Sequence, residues 1–345
     1  MREWKYDYLR VISTFAVILL HIESKFKAGC FTQSNATILE PFVHATCVFA
    51  VPCFFMLSGA FAIGGGDKNP YWKKSFIPFL LLAGFYSVYN AIYYLRNGMT
   101  IVDTLEKIVI EFFSGHAYYH LWYMYVLSML MLFTPLLRKI KQKLIDRQYF
   151  ILISASFVLG CTIGLLYDSY FEYGLNTMKY VGYFMLGDYI GTITKPNLKK
   201  YQFVIEVSLA LVGILICGFV RLIEINGDFS IFRSMSVYSS VSPIVIFIAV
   251  TLFVSFAGAT IFRKSVVIAA LARKTYFMYL WHPFIIEILF IFLRNTAIIK
   301  CNYSVVLFIL LIVTSVFSFA LSWCTTSIFD IFKDNAIAAA LNENK

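Results

Sequence analysis

The stretch Tyr303–Cys324, "YSVVLFILLIVTSVFSFALSWC", runs 22 residues without a charged side chain. As an α-helix it is about 33 Å long at 1.5 Å per residue, enough to cross the ~30 Å hydrocarbon core of a bilayer. Val241–Phe262 is a second uncharged run of the same length. The rest of the chain agrees. Of 345 residues, 60% are hydrophobic and 14% charged, where a soluble domain carries about 25% charged residues. This composition excludes an ordinary soluble domain and places the chain in a membrane.

Working outward from these runs, the apolar segments predict an all-α integral membrane protein of about ten transmembrane helices. They lie at about 8–22, 42–63, 76–95, 119–137, 149–167, 178–194, 203–222, 240–262, 275–293 and 303–325. The first run is followed by Glu23, Lys25 and Lys27 rather than a small-residue cleavage box, so it is kept as a membrane helix and not as a signal peptide. No internal repeat or long linker stands out, so 1–345 reads as a single multi-pass domain.

The net charge of +10 admits a nucleic-acid partner, but loop asymmetry accounts for it without one. With the N-terminus inside, the outer segments hold nine basic residues: Lys25, Lys27, Arg96, Lys107, Lys179, Arg221, Arg233, Arg294 and Lys300. The other 20 of the 29 fall on inner segments. Positive charge collects on the cytoplasmic side, so both termini are expected in the cytoplasm and the chain in the cytoplasmic (inner) membrane. No zinc-type Cys/His spacing occurs, and no metal is expected. Cys47, Cys53, Cys161, Cys217 and Cys324 lie in or beside apolar runs and read as packing residues. Cys30 and Cys301 fall in loops, where a disulfide is an open alternative.

Ionisable residues within such helices are functional candidates. In "LRVISTFAVILLHI" (Leu9–Ile22), Arg10 and His21 are eleven residues apart. Eleven steps of 100° end about 20° past three turns, so the two share a face, about 16 Å apart along the axis. Asp7 and Thr14 lie on the same stripe, and Asp7 can pair with Arg10 at i, i+3. The plainer alternative is an arginine reaching for headgroups and an interfacial histidine. His120 opens "HLWYM" at the outer start of the fourth helix. His282 lies in "YLWHPF", where Pro283 predicts a kink with freed carbonyls. His44 and His116 look ordinary. Ser58 precedes Gly59 in "FFMLSGAF", which reads first as close helix packing and second as a nucleophile.

The motifs "YDYLRVISTFAVILLH", "VPCFFMLSGAF", "YYHLWYMYVLSMLMLFTPLL", "YFMLGDYIG" and "TYFMYLWHPFI" occur in order from residue 6 to about 285. Together they resemble the membrane acyltransferase-3 family, in particular the stand-alone O-acetyltransferases of bacterial surface polysaccharides of the enterobacterial common antigen type. The resemblance implies an enzyme moving an acyl group, usually acetyl, from cytoplasmic acyl-CoA to a hydroxyl of a glycan or lipid-linked glycan. It implies His21 as the catalytic histidine, with His120 beside it in the chemistry. Arg10 becomes an acyl-CoA contact oriented by Asp7, and Ser58 and Trp122 match further family positions. Many members carry Arg-x-x-Arg before the third helix. Here "YWKKSFIPFL" offers Lys73 and Lys74, point charges without the bidentate fork of arginine.

An acceptor hydroxyl must lose its proton as it attacks a thioester, and a neutral imidazole is suited to take it. His21 can equally carry the acyl group itself, and the residues leave both routes open. Ser58, Tyr123 or His120 can donate to the developing oxyanion. The expected partners are acetyl-CoA, a glycan acceptor and the bilayer. A transporter or flippase of a lipid-linked glycan or small anion is the alternative, and a sensor or anchor without chemistry a third.

Overall fold

A computed structural model of the chain describes residues 4–27, 34–64, 76–166, 173–194, 198–226, 236–293, 296 and 302–342. It contains α1 (Trp4–Lys27), α2 (Ser34–Ala45), α3 (Ala50–Gly64), α4 (Ile77–Arg96), α5 (Ile101–Phe113) and α6 (Trp122–Lys143). These are followed by α7 (Asp146–Leu166), α8 (Tyr173–Ile193), α9 (Lys200–Asn226), α10 (Pro243–Gly258), α11 (Val266–Leu293) and α12 (Tyr303–Asn342). The extended backbone among the described residues pairs only in an isolated bridge, Leu198 with Ala259. Seven of the described stretches are long and apolar enough to cross a membrane. The chain is therefore an all-α, multi-pass membrane protein.

Each of the ten expected helices has a counterpart, and two features are added. The run at 42–63 is interrupted by turns at 46–49, between α2 and α3. Pro52 supplies the reason: it has no N–H for the carbonyl of Val48 and crowds it, so the helix restarts just upstream. The second addition is α5. Its N-cap is Thr100, whose hydroxyl oxygen accepts from the Asp103 N–H while the hydroxyl donates to the Asp103 carboxylate. Ile101, Val102, Leu105, Val109 and Phe113 face outward. On its other side the Tyr94 hydroxyl donates to Glu111 at 2.6 Å and Lys107 lies 4.0 Å over the Tyr94 ring, while Asp103 and Glu106 stay exposed. Exposed apolar and charged side chains on one helix suit a seat at the lipid–water interface.

The chain forms two compact units, Met1–Cys47 with Phe262–Lys345 and Val48–Ile261. In the first, α1 packs on α11, α12 and α2. Its apolar cluster contains Ile18, Ile22 and Phe26 of α1, Met278, Ile286 and Phe290 of α11, and Tyr303, Val306, Leu307 and Leu310 of α12. At the start of α1, the Tyr8 ring lies 4.7 Å from Phe262 and Lys264 lies over Trp4. The Trp281 indole N–H donates to Thr325 at 2.9 Å, tying α11 to α12.

In the second unit, α8 packs on α3, α6 and α7, and α9 on α10. The α3–α8 contact is backbone to backbone. A Cβ on Gly59 would lie 1.7 Å from the Phe184 carbonyl oxygen, and one on Gly187 would lie 1.9 Å from that of Met56. Residue 56 meets 187 and 59 meets 184, so the helices run antiparallel. Close approach is therefore the structural role of the Ser58–Gly59 pair. Asp188 ties three helices together: it accepts from Lys141 of α6 at 2.8 Å and from the Tyr149 hydroxyl of α7 at 3.2 Å.

Candidate active site on helix α1

The stripe expected on α1 is present. Asp7 is buried and pairs with Arg10, with Nη1 at 3.3 Å from Oδ1. Thr14 is buried and donates to the Arg10 carbonyl at 2.9 Å. About two turns onward from Thr14, about 10 Å along the axis, stands His21, half-buried. Ile18 and Ile22, both fully buried, flank it in the apolar cluster.

The tertiary fold brings a second imidazole to His21. His282 of α11 is fully buried, and its ring centroid lies 5.1 Å from that of His21, with the planes tilted by 34°. Met278 and Ile286, one turn to either side of His282, belong to the same cluster. The Nδ1 of His282 lies 2.6 Å from the Tyr279 carbonyl oxygen. Two further polar pairs gather on the same unit. Glu23, with 1% of its side chain exposed, pairs with His44 of α2 at 2.9 Å. Lys25 pairs with Glu287 of α11.

Asp7, Arg10 and His21 thus belong to the first unit, while Ser58, His120 and Trp122 belong to the second. His120 is buried in an aromatic nest, edge-on to Tyr86 at 5.1 Å and to Tyr118 at 5.7 Å. Trp122 opens α6 and lies 5.5 Å from Tyr180, which itself stacks on Phe55 at 4.4 Å. Ser58 is half-buried beside Gly59. Lys73 and Lys74 lie outside the described residues, as do Cys30 and Cys301. Among the described residues no three His, Cys, Asp or Glu side chains come together to hold a metal.

Sequence reasoning singled out His282 beside Pro283 without giving it a role in the site, and it did not select Glu23, His44 or Glu287. One local signal existed for His282. It precedes a proline, and a proline leaves the carbonyl four residues back without its helical donor. The other three show no pattern in the sequence, because their partners come from other helices.

A membrane helix bundle with an arginine–carboxylate pair on α1 and an imidazole pair shared between α1 and α11 defines a class, a multi-pass membrane protein with a polar site inside it. The chain matches the acyltransferase-domain model over residues 3–325 and belongs to the acyltransferase-3 family. It is 25% identical over 321 residues to the probable poly-beta-1,6-N-acetyl-D-glucosamine export protein of Staphylococcus aureus strain MRSA252, covering 84% of this chain and 85% of that one. The identity and coverage are the same for the proteins of that name in strains N315 and MW2. No solved structure matches the chain significantly.

Proposed function

We propose that this chain is an O-acetyltransferase of the cytoplasmic membrane, with both termini inside. It takes an acetyl group from cytoplasmic acetyl-CoA and delivers it to a hydroxyl of a surface glycan or lipid-linked glycan. The observation that carries this reading is the face of α1: an Asp7–Arg10 pair at one end and an imidazole about 16 Å along it at the other. A pantetheine arm is of that order of length.

Arg10, held by Asp7, and Lys73 and Lys74 meet the phosphates of CoA, while the thioester reaches toward His21. The acceptor oxygen attacks the thioester carbon and its proton passes to His21. The C–S bond then breaks, and the proton leaves with the CoA thiolate as the thiol. In the relay form, a His21 nitrogen attacks the thioester carbon and the CoA thiolate leaves; the acceptor hydroxyl then attacks the acetyl-imidazole, the C–N bond breaks, and the hydroxyl proton ends on the thiolate as the thiol. Either route needs a lone pair on His21. By the resemblance His120 joins the chemistry, Ser58 and Trp122 join Arg10 in binding acetyl-CoA, and Ser58, Tyr123 or His120 donates to the oxyanion.

The test is mass spectrometry of surface glycans from cells carrying H21A or R10A at wild-type protein level. Acetylation is expected to be lost in H21A and reduced in R10A; wild-type acetylation in both refutes the reading. The relatives' name, an export protein, favours one second reading, movement of a glycan across the membrane. That reading predicts glycan transfer into vesicles without acetyl-CoA and no effect of H21A on it beyond stability.

A further inference from the structure

We infer that His282 is the positioning partner of His21, and that Pro283 sets the state in which it does so. The inference rests on the role proposed for His21. In an α-helix the N–H of each residue donates to the carbonyl four residues back. Residue 283 is proline, so the Tyr279 carbonyl lacks that donor. His282 Nδ1 stands 2.6 Å from this oxygen. A carbonyl only accepts, so Nδ1 carries the proton, and in the neutral ring the lone pair is on Nε2. Full burial between Met278 and Ile286 holds the ring in that orientation.

The His21 ring lies 5.1 Å away, centroid to centroid. An N–H···N bond of about 2.9 Å, with about 1.1 Å from each ring centre to its nitrogen, needs a separation of roughly 5 Å. The rings stand at that separation, meeting in the structure as tilted faces rather than through that bond. With the His21 ring turned edge-on, the Nε2 lone pair of His282 takes the proton on its near nitrogen, and the other His21 nitrogen keeps its lone pair for the substrate. The arrangement uses the logic of an orienting third group, with a neutral imidazole in place of a carboxylate. It serves the general-base and relay routes alike. A backbone defect made by Pro283 thus selects the tautomer of one histidine, which selects that of a second histidine on another helix.

The primary readout is the histidine tautomer, from ¹⁵N NMR of ¹⁵N-histidine-labelled full-length protein in detergent micelles at a pH where the rings are neutral. The five histidines are assigned by single substitutions. Wild type is expected to show His282 protonated at Nδ1 and His21 in one tautomer. In P283A the restored N–H competes for the Tyr279 carbonyl, and both histidines are expected to become tautomer mixtures. H282N keeps an amide N–H near the Nδ1 position but loses Nε2, so His21 is expected to become mixed there too. H282Q places an amide oxygen near the Nε2 position and is expected to preserve part of the wild-type signature.

With acetyl-CoA and native acceptor membranes, H282N is expected to lower kcat by about 10²-fold with an unchanged KM for acetyl-CoA, the scale of a misplaced catalytic group. H282Q is expected to recover part of that loss. A His282 protonated at Nε2, or a His21 tautomer unchanged in H282N, overturns the inference. If H21A proves fully active, the proposed function fails, and the tautomer measurement still decides the His282–His21 coupling. Melting curves of each variant in the same detergent separate loss of fold from loss of orientation.

Discussion

Replacing Gly59 by alanine should cost stability although alanine is the better helix former. The Cβ would stand 1.7 Å from the Phe184 carbonyl oxygen, where ordinary carbon–oxygen contacts are about 3.4 Å or more. The obstructing atom is backbone and cannot rotate away, so α3 and α8 must part by more than about 1 Å. A gap of that order forfeits a quarter to a half of each dispersion contact across it. Overpacking of this kind costs about 3 kcal/mol, the upper end of the usual range. The gain in helix propensity offsets about 1 kcal/mol. The expected net loss is about 2 kcal/mol. G187A, with its Cβ 1.9 Å from the Met56 carbonyl oxygen, should lose a similar amount. The double variant should lose less than the sum, because the first displacement already makes room for the second methyl. Gly84 of α4 is the control: a Cβ there meets nothing within 4 Å, so G84A should gain up to about 1 kcal/mol. The assay is thermal unfolding in one detergent, followed by the folded fraction on size-exclusion chromatography. A G59A protein as stable as wild type, or additive losses in the double variant, would refute the backbone-contact reasoning.

Two further outcomes follow from other parts of the fold. D188A takes the carboxylate from Lys141, leaving it Thr192 alone as an acceptor among the described contacts, and removes the acceptor of Tyr149. With the Lys141 side chain 29% exposed, water softens the loss to roughly 2 kcal/mol, and K141A/D188A should cost less than the two single losses together; additive losses in detergent melts would contradict the pairing. For the proposed orientation, a fluorescent reporter at the C-terminus should light up, and alkaline phosphatase fused after Asn226 should be active outside. The opposite pattern would reverse the topology.

Much of the architecture was legible because a membrane helix announces itself locally. A run such as Tyr303–Cys324 needs no partner to be recognised. The break before α3 was legible in principle from Pro52, though the apolar run conceals it. The α5 helix escaped because it is short and its apolar residues are interleaved with Asp103, Glu106 and Lys107, so its pattern reads as a connecting loop. At the site, Asp7, Arg10 and His21 were found by helical period, since residues on one helix keep a set angular relation. Glycine beside Ser58 announced close packing, and the partner, Gly187 with its antiparallel register, emerged only from the folded chain.

By itself the sequence determined the solvent of this protein, the helices that follow from it, and the face of α1 carrying Asp7, Arg10 and His21. These are properties of short segments, set by hydropathy and a 3.6-residue period. Only the tertiary structure decided that His21 meets His282, that Glu23 meets His44, and that Lys25 meets Glu287. Those pairings join residues up to 262 positions apart. Which buried polar groups meet depends on how whole helices pack, and side-chain volumes along α1, α2, α11 and α12 settle that together. A helix period can place an imidazole on a face, and only packing places a second one beside it.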